Sequence, residues 1–321
     1  VKKIMITGIT GLLGSYLAKK LASEAQLSGI KRPGSSKRLL GGLAEDIHWK
    51  EGEITDVEFL AEACRDQDIV IHAAGLVSFD DSKKEALLQT NTYATACLVN
   101  ALISLKKPKL VFISSVAALG REGNELPINE EKKWVNSELN TPYAISKHLA
   151  ELEVWRGAQE GLQVMVFNPS VLLGKISDAR SSSQIYRYVL DENKYYPKGN
   201  VNYIDIRDAV DVMIHLIDKG EWNERYIINK ESLSYEIFFS EMAAIFGKKA
   251  PEKPLNGWLS GLVLSWASLQ NKFSKNKIPI SRQTIRAAQS KVVYDNSKIK
   301  NITGFPFTPL KDTLQWAMDK T

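Results

Sequence analysis

The sequence predicts an α/β protein in which a doubly wound parallel sheet is followed by a smaller, mainly C-terminal α/β lobe. Three observations carry this. Short apolar runs suited to strands buried on both faces recur at 3–7, 68–75, 109–113 and 161–167, with helical-period stretches between them. Glycines spaced three apart follow the first run directly. Beyond about residue 170 the pattern changes to short helices and isolated strands, with no internal repeat and no low-complexity linker.

The bulk numbers exclude several classes. A chain of 321 residues with 44% hydrophobic residues can bury one large core or two lobes, which argues against disorder. The net charge of +5 is modest and the basic residues are scattered, so no nucleic-acid partner is expected. Cys64 and Cys97 fall in helical patterns with apolar neighbours, which suits buried thiols in a reducing compartment. The chain enters a strand at once without a signal-peptide pattern, so a cytoplasmic location is expected. The longest apolar segment, Trp258 to Leu269, is too short for a bilayer that needs about 20 residues. A buried core helix is the commoner explanation for it, with a substrate lid or membrane-surface helix as rivals.

In chain order, the run Lys3 to Thr7 forms the first strand, and Gly8, Gly11 and Gly14 follow it. Leu12, Leu13, Tyr16, Leu17 and Leu21 then give a helical apolar face. Without Cβ atoms, the backbone turns sharply and lets a pyrophosphate reach the N–H groups of the opening helix, whose dipole favours an anion. This is the βα unit of a Rossmann-type dinucleotide-binding fold. Its cofactor-binding candidates are Gly8, Thr10, Gly11, Leu12, Leu13 and Gly14; a glycine-lined turn without a ligand is the rival reading. The spacing is G-x-x-G-x-x-G and not the general G-x-G-x-x-G. T-G-x-x-G-x-x-G at this place resembles the extended short-chain dehydrogenase/reductase family, of the epimerase/dehydratase type.

Gln26 to Lys31 should be the second strand, whose C-terminal end reads the adenosine ribose. No acid lies between Glu24 and Glu45; the segment instead reads K-R-P-G-S-S-K-R, with Lys31, Arg32, Lys37 and Arg38. A cation there suits a 2′-phosphate, so NADP(H) is expected, with NAD(H) the lesser possibility and Arg32 the planar clamp. A basic surface loop explains the same residues. The stretch Glu51 to Asp56 closes a third strand and opens a helix at Asp56. The resemblance implies that Glu53 and Ile54 flank the adenine, although relatives usually carry Asp where this chain has Glu53. In the next strand, Ala73, Ala74 and Gly75 leave room for a cofactor over the strand end. His72 reads as a satisfied core histidine without a catalytic role.

The apolar positions from Lys83 to Leu105 predict one long helix with Asn91 inside it. The run N-T-Y-A-T resembles the family's N-x-x-G-T segment, which implies that Asn91 helps organise the active-site lysine; a solvent-facing polar residue is the alternative. Lys109 to Ile113 is the next strand and runs into Ser114 and Ser115. Ser115 aligns with the family's catalytic serine, and Ser114 is expected to satisfy nearby backbone groups. In T-P-Y-A-I-S-K, Thr141 is a good N-cap and Pro142 suits the first helical position, so Tyr143 and Lys147 share one helix face. Three further Tyr-x-x-x-Lys pairs, Tyr16/Lys20, Tyr226/Lys230 and Tyr294/Lys298, are decoys by position. N-P-S-V-L-L-G after the sixth strand resembles the segment packing near the nicotinamide, which nominates Asn168 and Ser170.

These readings divide the chain into a nicotinamide-binding domain at 1–170 and a mainly substrate-binding lobe at 171–321, with a segment near 201–230 returning to the sheet. Val201 to Val210 resembles the segment that returns there, and Asp295 to Pro306 the family's closing element. Tyr186, Tyr188, Tyr195, Tyr196, Trp258, Trp266 and Phe273 make the lobe aromatic, as an apolar pocket or simple core packing requires.

The resemblance, closest to the dihydroflavonol-reductase-like branch in S-S-V-A-A-L-G and R-P-G-S, implies an NADP(H)-dependent oxidoreductase. It moves hydride between nicotinamide and the carbonyl or alcohol of a small, apolar or aromatic substrate. Tyr143 is the acid, with Ser115, Lys147 and Asn91 as its catalytic partners, and no metal is required. A nucleotide-sugar epimerase and a non-catalytic nicotinamide sensor are the alternatives. A 4,6-dehydratase would want an acid pair where this chain has Val116 and Ala117. By fold analogy, two long helices around 83–105 and 142–160 pair with their copies in a homodimer.

Overall fold

The computed structural model describes residues 1–122, 127–178, 183–256 and 282–319. Strand β1 (Lys2–Thr7) leads into helix α1 (Leu12–Leu21), then β2 (Ala25–Lys31), β3 (His48–Glu51), α2 (Val57–Cys64) and β4 (Ile69–His72). Asp56 caps α2 by accepting from the N–H groups of Glu58 at 3.1 Å and Phe59 at 3.0 Å. Helix α3 (Lys84–Leu87), a π-helical turn (Leu88–Tyr93) and α4 (Ala94–Leu105) precede β5 (Lys109–Ile113). Helix α5 (Pro142–Gln159) and strand β6 (Val164–Pro169) follow. The rest comprises β7 (Val171–Leu173), α6 (Ser183–Leu190), β8 (Tyr195–Tyr196), β9 (Asn200–Asp205), α7 (Ile206–Lys219), β10 (Glu224–Ile228), β11 (Glu231–Ser234), α8 (Tyr235–Phe246) and β12 (Lys253–Pro254). Helices at Arg282–Gln289, Ser297–Thr303 and Leu310–Met318 complete it.

Seven strands make one sheet in the order β10-β6-β5-β4-β1-β2-β3, every pair parallel. The alternation of each strand sorts its side chains into two cores. Ile4, Ile6, Ile71, Val111 and Phe167 face α1 and α7. Met5, Val70, Leu110, Phe112 and Val166 face α2, α4 and α5. The strand order reverses where β1 lies between β2 and β4, and the crevice at such a switch point is where open α/β sheets bind ligands.

Two expectations are corrected. The predicted single helix at 83–105 is interrupted by the π-helical turn at Leu88–Tyr93, whose extra residue turns Asn91 inward to a 2% exposed position. The strand of Val201–Val210 does not rejoin the main sheet: β9 pairs with β7 and β11 in a separate three-stranded sheet. Its Val201 and Tyr203 are buried with Tyr186, Phe238 and Met242, so a third core holds it away; within the expected 201–230 segment it is β10 that returns to the sheet, at the edge beside β6. Helix α7 does come back, packing Ile206, Val210, Met213 and Leu216 into the core it shares with α1.

Tyr186 is buried and donates to the Gly174 carbonyl at 2.9 Å, and Tyr188 stacks on Phe239, so core packing accounts for both. Trp258, Trp266, Phe273 and the apolar segment 258–269 lie outside the described residues. Both cysteines are free and buried, and burial pushes the Cys64 thiol up to about 12. Among the described residues no helix is long and apolar enough to cross a membrane.

Candidate active site

The turn after β1 is closed by a backbone bond from the Gly11 N–H to the Gly8 carbonyl at 2.8 Å. Gly8 adopts φ +69°, and a Cβ there would stand 2.5 Å from the Ala74 nitrogen; a Cβ on Gly14 would stand 2.3 Å from the Gly8 oxygen. Gly11 heads α1 and supplies no side-chain cap to its first N–H groups. A pyrophosphate fits this cradle, where helix dipole and open donors favour an anion. Thr10, Gly11 and Leu12 are half-buried along its rim, while Leu13 turns into the core. Across the switch point Ala73 and Ala74 are half-buried and Gly75 is exposed, leaving a low surface over the end of β4.

At the end of β2 the four cations part company. Lys31 pairs with Glu51, Lys37 lies 4.9 Å from the centre of the Trp49 ring, and Arg38 donates to the carbonyls of Ser177 at 3.3 Å and Asp178 at 2.8 Å. Arg32 is exposed, and its side chain makes no hydrogen bond or ion pair among the described residues. Glu53 is exposed and Ile54 half-buried at the mouth of α2.

The chemical groups meet at the end of β5. Thr141 caps α5 through the Ala144 N–H at 3.2 Å, with Pro142 in the first turn, so the half-buried Tyr143 is presented at the helix start. The Ser115 hydroxyl lies near the Tyr143 phenol and caps the short turn behind it, accepting from the Ala117 N–H at 3.2 Å. Burial raises the Tyr143 phenol above its ordinary value, and the nearby Ser115 hydroxyl works the other way. Lys147, one helical turn on, is buried; its Nζ donates to the Ile113 carbonyl at 2.6 Å and sits 4.4 Å from the centre of the Phe112 ring. Burial lowers its ammonium to about 8, against the pull of the Glu151 carboxylate. Ser114 does not satisfy neighbouring backbone with its side chain: its Oγ is buried without a partner among the described residues, because the loop aims only its N–H, at the Phe167 carbonyl.

Asn91 does not face solvent. Its Oδ1 accepts from the Leu76 N–H at 2.7 Å, and its Nδ2 donates to the Leu76 carbonyl and to Ser146 Oγ, each at 2.9 Å. It therefore grips the chain leaving β4 and the residue beside Lys147, without a hydrogen bond to Lys147 itself. Asn168 is fully buried behind Ser115, donating to its carbonyl at 2.9 Å, and Ser170 is buried beside the Ile228 carbonyl. His72 is a satisfied core histidine, held by Thr7 Oγ1 at 2.6 Å and Thr95 Oγ1 at 3.1 Å. The decoy tyrosines are engaged elsewhere: Tyr16 with Asp178 and Tyr226 with Glu221. Tyr294 lies in a bridge beside Ile128.

Two charges that the sequence did not single out, the buried Glu151 and the half-buried Arg225, lie under the site and pair at 2.5 Å. One signal was available: Tyr143, Lys147 and Glu151 are spaced four apart and so share a helix face. Arg225 lies on a strand whose place beside β6 no local pattern announces. Among the described residues no cluster of three or more His, Cys, Asp or Glu is placed to hold a metal.

A Synechocystis protein provisionally named a dihydroflavonol 4-reductase is 25% identical over 317 residues, covering 96% of this chain and 91% of its own length. Cinnamoyl-CoA reductase 1 of Petunia hybrida is 25% identical, covering 97% and 89%. The crystal structure of gox2253 superposes with a TM-score of 0.83 at 25% identity, over 99% of this chain and 97% of the other. The model of the NAD dependent epimerase/dehydratase family matches residues 4–229, which takes in the glycine turn, Ser115, Tyr143 and Lys147. With its parallel sheet, backbone-closed turn and strand-end Ser-Tyr-Lys group, the chain belongs to that family, the extended short-chain dehydrogenases/reductases.

Proposed function

We propose that this chain is an NADP(H)-dependent oxidoreductase acting on the carbonyl or alcohol of a small, apolar or aromatic substrate. The observation that carries the reading is the convergence of Ser115, at the end of β5, with Tyr143 at the start of α5 and Lys147 buried one turn along it, its Nζ donating to the Ile113 carbonyl at 2.6 Å. The glycine turn after β1 and the low surface at the end of β4 would hold a nicotinamide cofactor, which would supply or accept the hydride. Tyr143 gives its phenolic proton to the substrate oxygen in reduction and, as phenolate, takes it back in oxidation. Ser115 donates to the same oxygen. The Lys147 ammonium favours the phenolate and offers its remaining N–H groups to the ribose hydroxyls. Asn91 acts at one remove, by fixing Leu76 and Ser146. Proton transfer of this kind contributes roughly 10²- to 10⁴-fold to the rate.

The NADP(H) assignment is supported by Arg32, the cation of its loop left uncommitted when Lys31, Lys37 and Arg38 are engaged. Its planar fork suits a 2′-phosphate. A homodimer through α4 and α5 is supported by Leu152 at 50% exposure on α5 and Tyr93 at 51% just before α4. Sedimentation showing only monomer at micromolar concentration would remove the dimer.

Consumption of NADPH and NADH against aromatic and aliphatic aldehydes and ketones, with Tyr143→Phe alongside, tests the function. Net NADPH loss in the native protein and nearly none in the variant is expected. Tight cofactor binding with no net loss on any carbonyl would move a nucleotide-sugar epimerase or a nicotinamide sensor ahead.

A further inference from the structure

Behind the site lies a charged assembly that the chemistry above does not use. Glu151, 1% exposed, accepts from Asn168 Nδ2 at 2.6 Å on one oxygen and from Arg225 Nη2 at 2.5 Å on the other. The Asn168 amide spends its second proton on the Ser115 carbonyl at 2.9 Å. That orientation is forced: turning the amide over would set an oxygen against two acceptors. Arg225 also donates to the Glu130 carbonyl at 3.3 Å. One carboxylate thus ties α5 to the ends of β5, β6 and β10.

A buried ion pair is a poor device for stability alone, since well-packed apolar residues of similar volume often serve as well. Its placement points to charge. Lys147 has been stripped of water by its burial against Phe112, and an uncompensated buried ammonium tends to lose its proton. Its ionisable neighbours are Tyr143, His72 and Glu151. The phenol and the deeply buried imidazole contribute no negative charge near neutral pH, which leaves the carboxylate one helical turn away. Arg225 pairs with that carboxylate, and His148 lies within reach of both charges.

We propose that Glu151 is a positioning residue of the active site: its carboxylate, clamped between Asn168 and Arg225, keeps the Lys147 ammonium charged and holds the end of β5 that carries Ser115. This rests on the roles given above to Lys147 and Ser115 but can be tested without turnover. The probe is the Lys147 side chain itself, labelled with 13C at Cε, titrated by NMR in cofactor-free protein and assigned through Lys147→Met. In Glu151→Gln the Lys147 midpoint should move to lower pH, an about tenfold loss of proton affinity for charges one helical turn apart. The alkaline limb of kcat/KM for reduction should move with it. A merely structural role would lower Tm and leave both midpoints in place.

Should Glu151→Gln fold poorly, Glu151→Leu combined with Arg225→Met replaces the pair by apolar volume and should move the Lys147 midpoint in the same direction. An unchanged midpoint in either folded variant overturns the proposal. If the midpoint moves while the native protein turns over no carbonyl, the charge role of Glu151 stands and the oxidoreductase reading falls.

Discussion

Protonating His72 should unlock the floor of the cofactor crevice, and the hydrogen-bond directions show why. Thr95 spends its single hydroxyl proton on the Asn91 carbonyl at 2.5 Å, so it can only accept from His72 Nε2. Nδ1 then accepts from Thr7, whose oxygen is in turn open to the Ala74 N–H at 3.3 Å. A neutral Nε2–H imidazole completes this chain, and a second proton has no acceptor. Burial, with the Lys147 charge adding to it, lowers His72 from its ordinary 6.5 to about 3. Because the folded value is the depressed one, the unfolded chain takes the proton first. The histidine costs nothing above pH 6.5, and stability falls as the pH drops from there towards 3. The slope is about 1.4 kcal/mol per pH unit, roughly 4–5 kcal/mol across the window. Urea unfolding of the native protein and His72→Gln at a series of pH values isolates this contribution: the variant's stability should fall less steeply in acid. Equal slopes, or 15N spectra placing the proton on Nδ1, would refute the reasoning.

Other outcomes are equally specific. In Gly14→Ala the new Cβ meets backbone at 2.3 Å, a clash that overpacking costs of about 1–3 kcal/mol describe and that a helix-propensity gain of about 1 kcal/mol only partly offsets. Urea unfolding should show a net loss, while Gly42→Ala, with nothing within 4 Å of its Cβ, should be neutral or slightly stabilising. Arg32→Glu should weaken NADPH binding about tenfold or more and NADH binding much less, as read by cofactor fluorescence; equal losses would sink the 2′-phosphate assignment.

Much of the architecture could be read from the chain alone because its signals are local. Continuous apolar runs at Lys3–Thr7 and Lys109–Ile113 mark strands that the structure places at Lys2–Thr7 and Lys109–Ile113. The Thr141–Pro142 pair marks the start of α5 at the observed residue, because a cap and a proline act within one turn. The π-helical turn escaped notice because its residues keep a helical apolar period, and the reason for the extra residue, Leu76, sits on another element.

By itself, then, the sequence determined the order of strands through β6, the glycine turn and the Tyr143–Lys147 face, each encoded by neighbours a few residues apart. The tertiary structure alone decided which loop cation stays uncommitted, where β9 pairs, and that Glu151 on α5 meets Asn168 on β6 and Arg225 on β10. Those partners lie far apart in the chain and obey no period. They are selected only when the closed sheet excludes water and each buried polar group must find its match.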